Sequence, residues 1–354
     1  MPRQDVFGWD IGGAHLKACR LQRGEVVDVA QWACPLWTGA QALEKALAQA
    51  RERWPQLGGA LHAVTMTGEM VDSFEHREAG VQQIAALLAE RLAAPERLRF
   101  FAGDAGWCGP EQVAGQWPAI ASANWLATAM HAALLRPKGS ALLVDIGSTT
   151  TDLIALRDGR VLTSARSDAE RLASGELVYQ GVVRTPLCVL ARRIEWGGMS
   201  YNVMNEFFAT SADVYRLCGE LDPAHDLHPA ADGGAKDAAG TRRRLARLIG
   251  MDEREGSAAQ WLVFAQAWRR CQIDELSAQM QRVLSGHGLG GDTQIVSAGC
   301  GDFLVPELQA RCGLKGARAY ASDVAQLGGG QLAEWAQVCA PCVAVASLLD
   351  REQY

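Results

Sequence analysis

The stretch "VDIGSTTTDL", residues 144–153, carries the pattern from which the fold class follows. An apolar run ends in Asp145, turns through Gly147, Ser148, Thr149 and Thr150, and returns through Thr151 and Asp152 to a second apolar run. That order reads as a strand, a tight polar turn and another strand. A second stretch, "GWDIGGAHLKA" at residues 8–18, opens in the same way, with Asp10, Ile11 and Gly12 falling on Asp145, Ile146 and Gly147. Carrying the alignment on, Gly24 in "LQRGEVV" falls on Gly159 in "LRDGRVL", Leu21 on Leu156 and Val26 on Val161. Self-similarity at this separation marks a duplicated domain rather than a solenoid repeat. Each copy predicts strand, turn, strand, glycine turn, strand.

Helical and strand-like segments alternate after each copy. Residues 39–54, 119–135, 241–286 and 332–349 have helical patterns, and "LHAVTMTG", "RLRFFAG", "TQIVSAG" and "GARAYAS" read as strands. The alternation predicts an α/β chain built in layers. The polar, Pro- and Gly-containing "LRPKGS" at 135–140 suits a boundary. The expected lobes are therefore 1–136, with the first turn, and 137–354, with the second turn and an insertion near 183–240. Within the insertion, residues 219–240 are rich in Gly, Pro, Ala and Asp and read as a mobile loop that a ligand could order.

The 354 residues are 49% hydrophobic and 21% charged, which fits two globular domains of ordinary size. A net charge of −6 speaks against a nucleic-acid partner. The start, "MPRQDVFGWD", lacks a signal-like apolar region, and no apolar run reaches the length of a membrane span. The ten cysteines lack a metal-ligand rhythm. The close pair Cys339 and Cys342 reads as a helix start rather than a redox or zinc site. The expectation is a cytoplasmic protein acting on small molecules, away from membranes and nucleic acid, and a homodimer is one possible state.

A turn of this kind has a definite chemistry. Its glycines let backbone N–H groups converge on an anion. Gly12, Gly13 and Ala14 in the first copy, and Gly147, Ser148, Thr149 and Thr150 in the second, are candidate phosphate binders. Asp10 and Asp145 repel phosphate directly but can hold Mg²⁺, which then bridges to it. Lys17 can add a positive charge. Two such hairpins facing across a central cleft would clamp a polyphosphate from both sides. The alternative for either hairpin alone is an ordinary polar turn, and the duplication favours the phosphate reading.

These hairpins resemble the first two phosphate motifs of the actin-like ATPase, sugar kinase and Hsp70 superfamily. "IVSAGCGDFLVPEL", residues 295–308, resembles its nucleoside-facing third motif, which adds Gly299 and Gly301 to the anion-binding set. The resemblance implies two RNase-H-like lobes. A narrower resemblance is carried by "DIGGAHLKA", "MTGEM", "GDAGW", "SANW", "DIGSTTTDLI", "GELVYQGVVRTPL", "FFATSADVYRL" and "SAGCGDFLVPEL". Together these blocks look like the hydantoinase/oxoprolinase-related proteins of tetrahydromethanopterin-linked one-carbon pathways and their archaeal relatives in methanofuran biosynthesis. The implied reaction joins an aminomethylfuran-methyl diphosphate to the phenol of a (γ-glutamyl)tyramine, releasing diphosphate.

A phenol of ordinary pKa about 10 would be helped by a base. Glu69 and Asp104 each follow a strand-like run and a glycine, Asp152 closes the second hairpin, and Glu69 is the foremost candidate for direct chemistry. Asp104, Trp107, Asn124 and Arg184 are candidate substrate contacts. Trp107 and Trp125 could stack on a substrate ring, though core packing is the commoner fate of tryptophan. Arg184 could equally serve a surface ion pair, and His15 either a phosphate or an open turn. Asn205, Asp213 and residues 232–236 are weaker candidates for an acceptor pocket. Two other readings stand beside the transferase: an ATP-dependent small-molecule kinase or ATPase, and a non-catalytic metabolite-binding protein. Against the kinase, Phe303 and Leu304 would fill the space of an adenine. Hydantoin or oxoproline hydrolysis lacks a metal-ligating histidine cluster, because His225 and His228 lie in the insertion and the rest are dispersed.

Overall fold

In the computed structural model, residues 4–92, 95–324 and 330–353 are described. The chain divides into two compact units. Unit 1 comprises residues 1–139, 156–171 and 319–354, and unit 2 comprises 140–155 and 172–318. The expected lobes, 1–136 and 137–354, differ from this division because the closing helices pack on the first unit. At Gly8 the strand backbone is so close to the helix Ala340–Gln353 that a Cβ would lie 1.9 Å from the Cys342 carbonyl oxygen. Cys19 Sγ donates to the same oxygen at 3.2 Å. Cys339 immediately precedes this helix, and all ten cysteines are free thiols.

Unit 1 is built on a six-stranded sheet of β1 (Val6–Ile11), β2 (His15–Gln22), β3 (Glu25–Ala33), β4 (Leu61–Met66), β5 (Leu98–Phe101) and β6 (Trp107–Cys108). Their order is β3-β2-β1-β4-β5-β6. The second half of the chain repeats the arrangement with β7 (Ser140–Ile146), β8 (Thr151–Arg157), β9 (Arg160–Val161), β10 (Leu177–Val178), a separate hairpin of β11 (Arg193–Trp196) and β12 (Met199–Asn202), then β13 (Gln294–Ala298) and β14 (Gly316–Ala319). The second sheet runs β10-β8-β7-β13-β14, with β9 also on β8. In both sheets an antiparallel three-strand meander is followed by a parallel strand on the far side of the first strand.

The duplication extends to backbone angles. Arg23 and Gly24 have φ of 57° and 82°, and Asp158 and Gly159 have 50° and 77°. Two successive positive φ values make a type I′ turn, whose twist suits a two-residue hairpin. Each aligned glycine thus holds the same place in the same kind of turn.

Two local readings differ from the structure. The helix expected over 119–135 is two helices, Val113–Ile120 and Asn124–Leu134, broken at Ser122 with φ 51°. Residues 219–240 form an irregular segment, as composition suggests, but one pinned by ion pairs. Arg216 Nη2 reaches Asp226 Oδ2 at 2.5 Å, Lys236 reaches Asp226 Oδ1 at 2.9 Å, and fully buried Arg244 bridges Asp213 and Asp232. Among the described residues, no single helix is long and apolar enough to cross a membrane.

Candidate active site

The two Asp-Gly turns close with the same bond. Gly12 N–H donates to the His15 carbonyl at 2.9 Å, and Gly147 N–H to the Thr150 carbonyl at 2.8 Å. Carbonyls inside each turn point at a neighbouring loop. Those of Gly13 and Ala14 accept from Leu36 at 2.9 Å and Cys34 at 2.8 Å. Those of Gly147 and Ser148 accept from Val182 at 3.1 Å, Val183 at 3.1 Å and Arg184 at 2.8 Å. A planar trans peptide sets each N–H opposite its carbonyl. The amides of Ala14 and His15, and those of Ser148 and Thr149, therefore face away from these loops.

In the second turn this backbone is supported closely. A Cβ on Gly181 would lie 2.4 Å from Ser148 C and Thr149 N. Gly299, at φ 87°, sits against Ile146 and Asp145, and a Cβ there would be 2.6 Å from Asp145 Oδ1. Gly301 N–H donates to the Ile146 carbonyl at 2.8 Å. Side chains add donors on the same turn. The Ser148 and Thr149 hydroxyls are 3.4 Å apart, and Arg184 Nη1 donates to Thr149 Oγ1 at 3.3 Å. Burial pulls the Arg184 guanidinium below its ordinary range. Two hydroxyls, two outward amides and a half-buried cation on one turn make a chemical cradle for an anion. Asp152 lies one strand over, opposite Leu177 of β10.

In the first turn Asp10 stands between Lys17 on β2 and Thr65 on β4, so the three share one face of the sheet. Asp10 is 5% exposed, and Lys17 donates to the Val338 carbonyl at 3.1 Å. His15 is buried, which removes the open-turn alternative. The loop after β4 packs on this turn. Thr67 N–H donates to the Ile11 carbonyl at 2.9 Å, and a Cβ on Gly68 would lie 3.2 Å from Gly12 C.

That loop also places Glu69, with 0% exposure. Burial pushes its carboxyl up to about 7, against the opposing pull of a Ser122 hydrogen bond and Arg77. Ser122 Oγ is 2.7 Å from Glu69 Oε1 and 2.9 Å from Asp168 Oδ2. Asp168 pairs with Arg171 at 3.6 Å, and Arg171 lies 4.1 Å above the Trp125 ring. Trp125 is thus buried in this cluster, and Asn124 begins its helix, with Oδ1 accepting from Trp125 N–H at 2.7 Å.

Other candidates lie elsewhere. Asp104 forms an exposed ion pair with Arg166, and Trp107 packs edge-on against Phe101. Asp213 is held by Arg216 and Arg244, and Asn205 is exposed. Leu304 is buried and Phe303 meets the Tyr215 ring at 5.2 Å. Ser122, Asp168, Arg171 and Gly181 escape the sequence reading. Ser122 lies in the quoted "SANW" block, but its partners are 53 and 46 residues away.

The hydantoinase/oxoprolinase family model matches residues 60–337. The chain belongs to the hydantoinase/oxoprolinase family. The chain is 26% identical over 348 residues to the (4-{4-[2-(gamma-L-glutamylamino)ethyl]phenoxymethyl}furan-2-yl)methanamine synthase of Methanocaldococcus jannaschii, covering 98% of both chains. A synthase of the same name from Methanococcus vannielii is 30% identical over 166 residues, 47% of this chain and 73% of that one. These relatives are enzymes, and their similarity supports a related transferase role for this family member. The nucleotide-free structure of acetone carboxylase superimposes with a TM-score of 0.58 at 12% identity, over 97% of this chain and 70% of that one. That likeness shows a shared fold.

Proposed function

We propose that this protein condenses an aminomethylfuran-methyl diphosphate with the phenol of a (γ-glutamyl)tyramine, releasing diphosphate. The observation that carries the reading is the end-to-end similarity to the M. jannaschii synthase, whose name describes a phenoxymethyl-furan ether. The local chemistry supports it. The bond from the furan methylene carbon to diphosphate breaks, and its electron pair leaves with the diphosphate. The phenol oxygen forms the new bond to that carbon, and its proton passes to a base. The hydroxyls of Ser148 and Thr149 and the Arg184 guanidinium suit the departing charge, since donors fixed where charge develops lower the barrier. Glu69, with its carboxyl raised to about 7, suits the proton transfer.

Mg²⁺ fits the chemistry of either turn taken by itself, because Asp10 in unit 1 and Asp145 in unit 2 each offer hard carboxylate oxygens. Among the described residues no group of three or more His, Cys, Asp or Glu side chains is placed to hold a metal ion. A magnesium ion held by a single carboxylate and substrate phosphate needs no such cage. When bound, it would supply charge neutralisation to the diphosphate.

The test is incubation of the protein with the furfuryl-type diphosphate, γ-glutamyltyramine and Mg²⁺, followed by mass spectrometry. The expected result is aryl ether and diphosphate in equal amounts. Absence of ether, with phosphoryl transfer from ATP to an alcohol, would replace this reading by a kinase.

A further inference from the structure

Glu69, Ser122 and Asp168 come from three separate stretches of unit 1: the loop Gly68–Met70, the break before the helix Asn124–Leu134, and the first residue of the helix Asp168–Ser174. The Ser122 oxygen lies within hydrogen-bond distance of both carboxyl groups, at 2.7 and 2.9 Å. A serine hydroxyl carries one proton, so it cannot donate to both. One carboxyl must therefore donate to Ser122 while Ser122 donates to the other. The surroundings decide the direction. Glu69 is fully buried, and Arg77 Nε stands 4.0 Å from its Oε1. The Asp168 side chain is 20% exposed and pairs with Arg171, which is fixed over the Trp125 ring. Burial favours the neutral form, so Glu69 is the carboxyl that carries the shared proton.

We infer that Glu69, Ser122 and Asp168 form a hydrogen-bonded relay that conducts a proton between the buried Glu69 carboxyl and the solvent-facing edge at Asp168. Glu69 Oε1–H donates to Ser122 Oγ, and Ser122 O–H donates to Asp168 Oδ2. Glu69 Oε2 is buried and has no hydrogen-bond partner among the described residues, which makes it the entry point. As a proton arrives at Oε2, the Oε1 proton passes to Ser122, the Ser122 proton passes to Asp168, and Asp168 releases it to water. One proton enters, one leaves, and no charge accumulates on Glu69. Use of the relay in catalysis rests on the aryl-transfer reading above, with the phenol as proton source; the relay itself does not.

The backbone of Ser122 supports a dedicated role. Its φ of 51° lies in the left-handed region, which costs a non-glycine residue on the order of 1 kcal/mol. An outlier of this kind persists where the surrounding structure fixes it, often at functional positions. Here it also breaks a helix that the sequence would otherwise continue.

The strain makes the test clean. Ser122→Gly removes the hydroxyl while relieving the backbone, so the relief offsets part of the lost hydrogen bonding and the variant should remain folded, as its melting curve checks. The unliganded full-length protein is titrated by infrared difference spectroscopy, with Glu69→Gln assigning the carboxyl band. The groups facing this carboxyl are Arg77, Asp168 with its partner Arg171, and Ser122. In the parent the band should titrate near 7. Ser122→Gly should move the midpoint upward by removing a donor to the anion, and Asp168→Asn downward by removing a like charge. After a rapid pH jump, protonation of Glu69 should slow on the order of a hundredfold in Ser122→Gly. An unchanged midpoint and relaxation rate in a folded Ser122→Gly variant, or a Glu69 carboxyl ionised throughout, would overturn the relay. Because no substrate is present, failure of the relay and failure of the proposed reaction are separate results.

Discussion

At the scale of single residues, Arg184 ties the anion-binding reading to a measurable quantity. It contributes twice to the second turn, through its backbone N–H to Ser148 and its guanidinium to Thr149. Replacing the side chain leaves the backbone bond in place, so the effect isolates the cation. Hydrogen bonds to charged groups contribute roughly 1.5–3 kcal/mol, so Arg184→Gln should weaken diphosphate binding by about 10- to 150-fold in calorimetry. Arg184→Lys should restore only part of this, since an ammonium lacks the guanidinium fork. Equal affinity in parent and Arg184→Gln would remove Arg184 from the phosphate site. The sequence marks the residue as a candidate substrate contact, with a surface ion pair as the alternative. Its contact with Thr149 gives a third arrangement that spacing could not show, because 35 residues separate the two.

At the scale of elements, the turns depend on glycines outside them. Gly181 touches the Ser148–Thr149 peptide, and Thr185 fixes Gly181 in turn, accepting from its N–H at 2.8 Å. Gln272 Nε2 donates to the Gly181 carbonyl at 3.1 Å, and Gln272 Oε1 accepts from the Tyr215 hydroxyl at 2.7 Å. The second turn is thus held from behind by residues of two helices, Ser211–Cys218 and Ala258–Gly286. Gly181→Ala would drive a methyl into backbone, a kind of overpacking that costs about 1–3 kcal/mol. We expect a lower melting temperature for unit 2 and weaker phosphate binding, with the circular dichroism of the helices retained. A crystal structure of the variant with the 147–150 turn unmoved would contradict this.

At the scale of the whole molecule, buried titratable groups set the pH response. Glu69 has a folded value near 7 against an ordinary 4.5. Between these values the folded state holds a proton that the unfolded chain has lost, so this group's contribution falls as pH rises from about 4.5 to 7. His62 and His131 act with the opposite sign. Burial lowers each from 6.5 to about 4, so folded unit 1 excludes protons that the unfolded chain binds. Their contribution is complete above about 6.5 and is lost as pH falls toward 4. Glu69→Gln keeps the volume and cannot ionise. Its stability relative to the parent should therefore rise by on the order of 3 kcal/mol between the two ends of the glutamate window. Urea unfolding of unit 1 followed at both ends gives the difference, and a pH-independent difference would rule out the raised carboxyl. The two units can unfold separately, so the transition must be assigned to unit 1.

The sequence by itself determined the duplication and with it the α/β plan. The reason is that hairpin turns are local: the left-handed φ that each later turn needs is met by a glycine within it, and the structure returns matched turns at Gly24 and Gly159. It also put Glu69 and the two phosphate-type turns forward as chemistry. Tertiary structure alone decided what those residues meet. Ser122 reads as the middle of a helix until its hydroxyl is seen between two carboxyl groups from distant segments. The segment 219–240 has the composition of a loose loop, yet arginines on two helices supply the opposite charges that hold it. The closing helix joins the first unit because Gly8 lacks a side chain where Cys342 approaches. Local backbone preferences are written within a few neighbours, whereas burial, charge pairing and close approach exist only once the chain has brought remote segments together.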